Sequence, residues 1–163
     1  MANRNGRPSQ NFAITNRPEV RQALSAIPDA LKNRVMAKAV DKALAPVVKA
    51  ARSNAPKRSG LLKKSMRKKV KKYPSGVVFG AAGPDRDTIG TYNGKKAWPN
   101  KYAHLVERGT QGHEQPKLHK FTKGAKPAWY LREAWYATKQ AVVGIFTATV
   151  QTELEKEVNK RGK

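Results

Sequence analysis

The stretch PDALKNRVMAKAVDKALAPVVKAARSNAPKRSGLLKKS, residues 28–65, decides the fold. A helix start is written at Ile27-Pro28-Asp29: proline loses nothing at a first helical position, and an acid suits the positive end of the helix dipole. Met36, Val40, Ala43, Leu44, Val47 and Ala51 recur at spacings of three and four. They form an apolar stripe, with Arg34, Lys38, Asp41, Lys42, Lys49 and Arg52 opposite. Pro46 interrupts the pattern and predicts a kink, because it lacks an N–H and crowds the preceding turn. The helix should stop at Ser53-Asn54-Ala55-Pro56. A turn and a very basic strand are expected next.

That strand, Leu61 to Tyr73, carries Lys63, Lys64, Arg67, Lys68, Lys69, Lys71 and Lys72, interrupted by Met66 and Val70. Tyr73-Pro74-Ser75-Gly76 is a turn signal and Val77-Val78-Phe79-Gly80 a short apolar strand, so a hairpin with one basic arm is predicted. Like charges along a strand cost stability unless water or an anionic partner screens them. A solvated edge strand, which lysines also protect from unwanted pairing, and an anion-binding surface both fit.

Outward from this centre the signals are weaker. Residues 1–17 are polar and read as a flexible, disordered arm; residues 18–163 read as a single α+β domain. Pro18 to Ala26 suits a short helix with Val20, Leu24 and Ile27 on one side. Residues 83–98 hold two turn signals and predict a loop or small hairpin. Asp85 and Asp87 flank Arg86 and lack the further oxygen ligands of a calcium loop. Tyr102 to Glu107 predicts a short helix, with Gly109 as a left-handed cap. Residues 112–126 predict a long loop. His104, His113 and His119 miss a zinc-helix spacing and read as exposed side chains.

Pro127 is expected to open a second long helix, with Leu131, Trp135, Thr138, Val142, Ile145 and Thr149 as its seam and Gly144 as a weak point. Trp129, Tyr130, Trp135 and Tyr136 cluster at its start. They suit core or protein contact better than base stacking, since basic residues do not interleave them.

Composition bounds the function. The 163 residues carry 34 Lys and Arg against 11 Asp and Glu, a net charge of +23, so nucleic acid, anionic membrane and acidic protein surfaces are natural partners. Hydrophobic content is 39%, which implies a modest core. With no cysteine, disulfide scaffolds, thiolate metal sites and thiol catalysis are excluded. That absence fits a reducing cytoplasm. No apolar run reaches the ~20 residues of a membrane span, and Met1 to Arg7 is not followed by the apolar region of a secretory signal. Nucleophile elbow, phosphate loop and zinc-protease motifs are all missing, so an enzyme is not expected and no cofactor or metal is assigned.

Three segments together carry a resemblance. Ala55-Pro56-x-x-Ser59-Gly60-x-Leu62-x-x-Ser65 resembles the turn after the first long helix in a family of tailed-phage neck proteins. Tyr102-Ala103-x-x-Val106-Glu107-x-Gly109-Thr110 is similar to that family's second signature. Lys126-Pro127-Ala128-Trp129-Tyr130-Leu131-Arg132-Glu133-Ala134 is similar to its third. Order and rough spacing agree over about residues 28–155. Pro127-Ala128 stands where Pro-Phe is usual, Glu133 where Pro is common, and residues 83–98 and 111–126 exceed the family minimum.

The family comprises tail-completion and head–tail joining proteins, relatives of the lambda tail-completion protein. The resemblance implies an α+β fold with long N- and C-terminal helices packed on a small antiparallel sheet. It implies a structural virion protein, made in the bacterial host cytoplasm. Such a protein forms an oligomeric ring between head connector and tail tube, with connector, tail-terminator or tail-tube proteins as neighbours and double-stranded DNA passing through. Under that reading Pro56, Gly60, Leu62, Tyr102, Val106, Glu107, Gly109, Thr110, Pro127 and Leu131 are structural, with Glu107 pairing a basic neighbour. Lys57, Arg58, Lys63, Lys64, Arg67, Lys68, Lys69, Lys71 and Lys72 would face DNA or an acidic partner. The alternative is a non-specific nucleic-acid-binding protein that coats DNA through the basic strand.

Overall fold

A computed structural model describes residues 29–115 and 120–161. The expected arm, the short helix at 18–26, Pro28 and His119 lie outside them. Two helices, α1 (Asp29–Ala43) and α2 (Ala45–Asn54), occupy the predicted helical span. Leu44 lies between them, and Pro46 falls in the first turn of α2, where its missing N–H costs nothing. The predicted kink is therefore a short break, bridged by Leu44 N–H to Val40 O (3.1 Å) and Val48 N–H to Leu44 O (3.1 Å).

The next elements are α3 (Leu61–Ser65), β1 (Met66–Lys72), β2 (Val78–Pro84), β3 (Gly90–Tyr92) and β4 (Lys95–Ala97). Then come α4 (Pro99–Arg108), β5 (His113–Gln115), β6 (Lys120–Thr122) and α5 (Tyr130–Arg161). The strands form three separate antiparallel hairpins, β1–β2, β3–β4 and β5–β6. The fold is mixed α and β, with small antiparallel sheets and a long C-terminal helix.

Because α1 is covered on two sides, it carries two apolar stripes. Val35, Ala39, Ala43 and, on α2, Val47 form a buried cluster with Val142, Phe146 and Val150 of α5. Of the stripe expected from sequence, Ala43, Val47 and Ala51 are buried, whereas Met36, Val40 and Leu44 are only half-buried. Val40 and Leu44 lie beside β2: a Cβ added at Gly80 would sit 2.3 Å from Val40 Cγ1 and 2.9 Å from Leu44 Cδ1. Glycine at 80 therefore lets the hairpin rest directly on α1. A second cluster joins Val48, Ala51, Ala55, Leu62, Met66, Ala103, Tyr130 and Ala134.

Charged pairs fasten α1 to α5. Lys38 Nζ donates to Glu153 Oε2 at 2.6 Å and Arg34 donates to Glu157; within α5, Lys156 Nζ lies 3.3 Å from Glu153 Oε1. The bond from Lys38, helped by Lys156, holds the Glu153 carboxyl below its ordinary value, although burial opposes the shift.

Several sequence expectations need correction. Residues 61–65 are helical, so Lys63 and Lys64 lie on α3 and not on the strand. Gly60, at φ 67°, turns the chain into this helix, and burial of Leu62 and Ser65 demands a helical spacing of three. The outgoing strand runs to Pro84, well beyond Gly80. Residues 112–126 are not all loop, since they hold β5 and β6. Residues 83–98 do form a small hairpin, turned by Asn93 and Gly94 at φ 50° and 73°, the positive values a two-residue turn requires.

The C-terminal helix starts at Tyr130, not at Pro127. Of its expected seam, Val142 and Thr149 are buried and Leu131, Trp135, Thr138 and Ile145 half-buried. Tyr130, Ala134, Phe146, Val150 and Glu153 are buried as well. The aromatic cluster divides: Tyr130 is fully buried, Trp129 and Trp135 are half-buried, and Tyr136 is exposed.

Candidate structural latch and basic surface

The segment before α5 is stitched to the end of α4. Ala128 N–H donates to Val106 O (2.9 Å) and Trp129 N–H to Glu107 O (3.2 Å). The Glu107 side chain then caps α5: Oε2 accepts from Leu131 N–H and Oε1 from Arg132 N–H, both at 2.9 Å. A carboxylate taking two orphan N–H groups at a helix start satisfies both its own charge and the dipole. Glu107 thus engages backbone, where a basic side chain was expected. The stitching also explains the late helix start, since residues 128 and 129 give their N–H groups to α4. Trp129, at φ 47°, redirects the chain into α5.

Thr110 closes the same junction from the other side. Its N–H donates to Ala125 O (2.9 Å), and its Oγ1 accepts from Ala125 N–H (2.9 Å). Gly109 lies between these contacts at φ 75°, ψ 179°. Its φ is positive, as expected, but the conformation is an extended one and not a left-handed cap. A Cβ there would lie 2.5 Å from Ala125 O and 2.8 Å from Pro127 N. Only glycine meets both demands.

The first signature meets the second. Leu62 is buried in the cluster against which Tyr102, Val106 and Leu131 pack. Pro56, Arg58, Ser59, Leu62, Tyr102 and Val106, with Tyr92 and Ala97, line a largely apolar cavity of about 290 Å³. Arg58 Nε donates to Tyr92 Oη at 2.9 Å. Tyr130 is completely buried; burial first, then Glu107 and Tyr102, pushes its phenol well above the ordinary value. Pro127 itself is exposed, and its place is to abut Gly109.

The basic residues behave differently. On β1, Arg67, Lys69 and Lys71 pair with Gly83, Ala81 and Phe79 on the face turned away from α1. Lys68 faces α1, donating to Asp41 O (2.9 Å) and to the Asp41 carboxylate. Arg67 bonds the carbonyls of Lys64 (2.9 Å) and Met66 (3.1 Å), and Lys71 sits 4.7 Å over the Tyr73 ring. Lys57, Lys63, Lys64, Lys69 and Lys72 are exposed. Phe79 and Val77 stand 55% and 57% exposed beside this positive row, an apolar content that a purely solvated strand does not need.

Two neighbours were missed from sequence. Lys49 and Arg52 of α2 share an open groove with Lys63, Arg67 and Lys68. Helical periodicity assigned both to the polar face of their helix, and periodicity cannot report which element lies beside that face.

His104 and His113 are exposed and apart. Among the described residues no group of three or more His, Asp or Glu could hold a metal, and no helix is long and apolar enough to cross a membrane.

Three short signatures far apart in sequence thus meet at one junction of an α+β fold. The family model described as "Bacteriophage HK97-gp10, putative tail-component" matches residues 19–109, more than half of the chain. The chain belongs to this HK97-gp10-like family, and the match contains the first signature in full and the second as far as Gly109. No curated protein and no solved structure matches it.

Proposed function

We propose that the protein is a non-catalytic neck component, a tail-completion or head–tail joining protein that forms an oligomeric ring between head connector and tail tube. Residues 18–163 act as one structural unit in that ring. DNA passes through its channel, and connector, tail-terminator or tail-tube proteins are its neighbours. The observation that carries this reading is the pairing of family with charge. A phage tail component with a net charge of +23 leaves Lys69, Lys71 and Lys72 exposed on a hairpin. Identical copies of such a chain repel one another, and salt screens the repulsion within ~8–10 Å. Anionic neighbours, DNA or acidic rings, are what allow the copies to close.

Contact with passing DNA must be sequence-blind, as phosphate contact is. Replacing Lys69, Lys71 and Lys72 with Glu should either stop tails joining heads, which assigns the row to a protein interface, or permit joining and impair DNA retention or ejection. Normal particles with normal infectivity would return the row to a solvated strand. Electron microscopy of purified particles tests the ring itself: the protein should occupy the neck at a fixed copy number. Variable stoichiometry on DNA, with no place in the particle, would support the alternative of a free DNA-coating protein.

A further inference from the structure

We infer that the groove between α2, α3 and the start of β1 is a seat for the phosphodiester backbone of duplex DNA. The inference rests on the neck reading for its partner and adds the site of contact. Lys49, Arg52 and Ser53 come from one face of α2, at positions i, i+3 and i+4, Lys63 comes from α3, and Arg67 and Lys68 from β1. These side chains line an opening of about 680 Å³ whose lining includes no acidic residue. Lys68 is paired with Asp41 of α1, which leaves Lys49, Arg52, Lys63 and Arg67 to concentrate positive potential in a concavity, where low-dielectric walls strengthen it.

The guanidinium groups are already set. Arg52 Nη2 donates to Met66 O (2.9 Å), and Arg67 is tied to the carbonyls of Lys64 and Met66. Both stems are therefore ordered before any ligand arrives, which lowers the entropy lost on binding. Arg52 Nε is buried and finds no acceptor among the described residues. Lys49 and Lys63 are exposed and add charge that can adjust along a backbone.

An acidic peptide is the other anion to weigh. Peptide recognition uses pockets for side chains or an added strand. The apolar lining here is only Ala45 and Val48, which offers no such pocket. Evenly spaced phosphates need none. The groove would then read charge and spacing alone, as a contact that lets DNA slide must.

The test uses the full chain and a fluorescently labelled duplex of about 30 base pairs and arbitrary sequence, titrated at several salt concentrations. Lys49→Glu with Lys63→Glu should weaken binding by roughly tenfold or more and reduce the slope of log affinity against log salt by about two. Lys95→Glu with Lys96→Glu makes the same charge change on the exposed β4 and should cost much less. Lys49→Ala with Lys63→Ala, a milder pair whose melting temperature should equal the parent's, should move affinity in the same direction. Equal loss from the groove and β4 pairs would reduce the effect to net charge and overturn the proposal. So would displacement of the duplex by polyglutamate at equal charge concentration, which would assign the groove to an acidic protein. A ring seen in particles with no groove-dependent duplex binding would remove this site and leave the neck reading standing.

Discussion

Glu107 and Lys69 spend their charges in opposite ways. The Glu107 carboxylate is consumed inside the molecule, by two backbone N–H groups of α5. Lys69 stands exposed on a two-stranded hairpin, and Lys72 with it. At the first place the residue types build geometry, and each atom is accounted for by a partner 24 or 25 residues away in sequence. At the second the hairpin supplies geometry, and the charges are held outward. Signature and charge therefore do different jobs: one shapes the fold, the other is held at the surface.

Breaking the latch should have the largest effect. Gly109→Val places a β-branched side chain at positive φ, with its Cβ 2.5 Å from Ala125 O. A loss of at least ~3 kcal/mol is expected from strain and clash together. Gly112→Val meets mainly the end of the Phe121 ring, at 2.7 Å, which can move, and should cost roughly 1–2 kcal/mol. Equal denaturant midpoints for the two variants would remove the special status of Gly109.

Glu107→Ala should come next, at about 2 kcal/mol, because two N–H groups lose a charged acceptor. Glu107→Gln keeps one acceptor oxygen and should lose about half as much. Thermal melts of both variants check the order.

By contrast, Lys69→Ala with Lys71→Ala should change stability by less than ~0.5 kcal/mol, and toward greater stability at low salt, where like charges repel most. A large loss in chemical denaturation would mean that these lysines are structural, and the contrast would fail.

The smallest effect sharpens the comparison at a third place. Glu153 has its carboxyl lowered in the folded chain by Lys38 and Lys156. A lowered folded value means stability that is present above the ordinary carboxylate range and lost as pH falls through the folded value. Melting temperature should therefore drop in mild acid, and Lys38→Met should flatten that drop. An unchanged pH profile in the variant would show that the pair contributes nothing.

Much of the frame was legible because its signals are local. Pro46 marked the break between α1 and α2, Tyr73 to Gly76 the first hairpin, and Asn93-Gly94 the second. Two kinds of feature were not legible. Residues 61–65 are too short for periodicity to choose helix over strand, and only the burial of Leu62 and Ser65 decides it. The latch and the groove are long-range pairings, and spacing within one element says nothing about which element it will touch. That α1 buries Val35 and Ala39 while half-burying Met36 and Val40 follows from having a neighbour on each side. A single stripe could not announce that arrangement.

The pair of hydrogen bonds between Thr110 and Ala125 has a further consequence. It clamps the two ends of residues 111–124 together at their base. Whatever lies between is an excursion whose closure the protomer has already secured. The entropy of a closed loop grows only with the logarithm of its length. A change in the length of this segment should therefore cost the rest of the fold little.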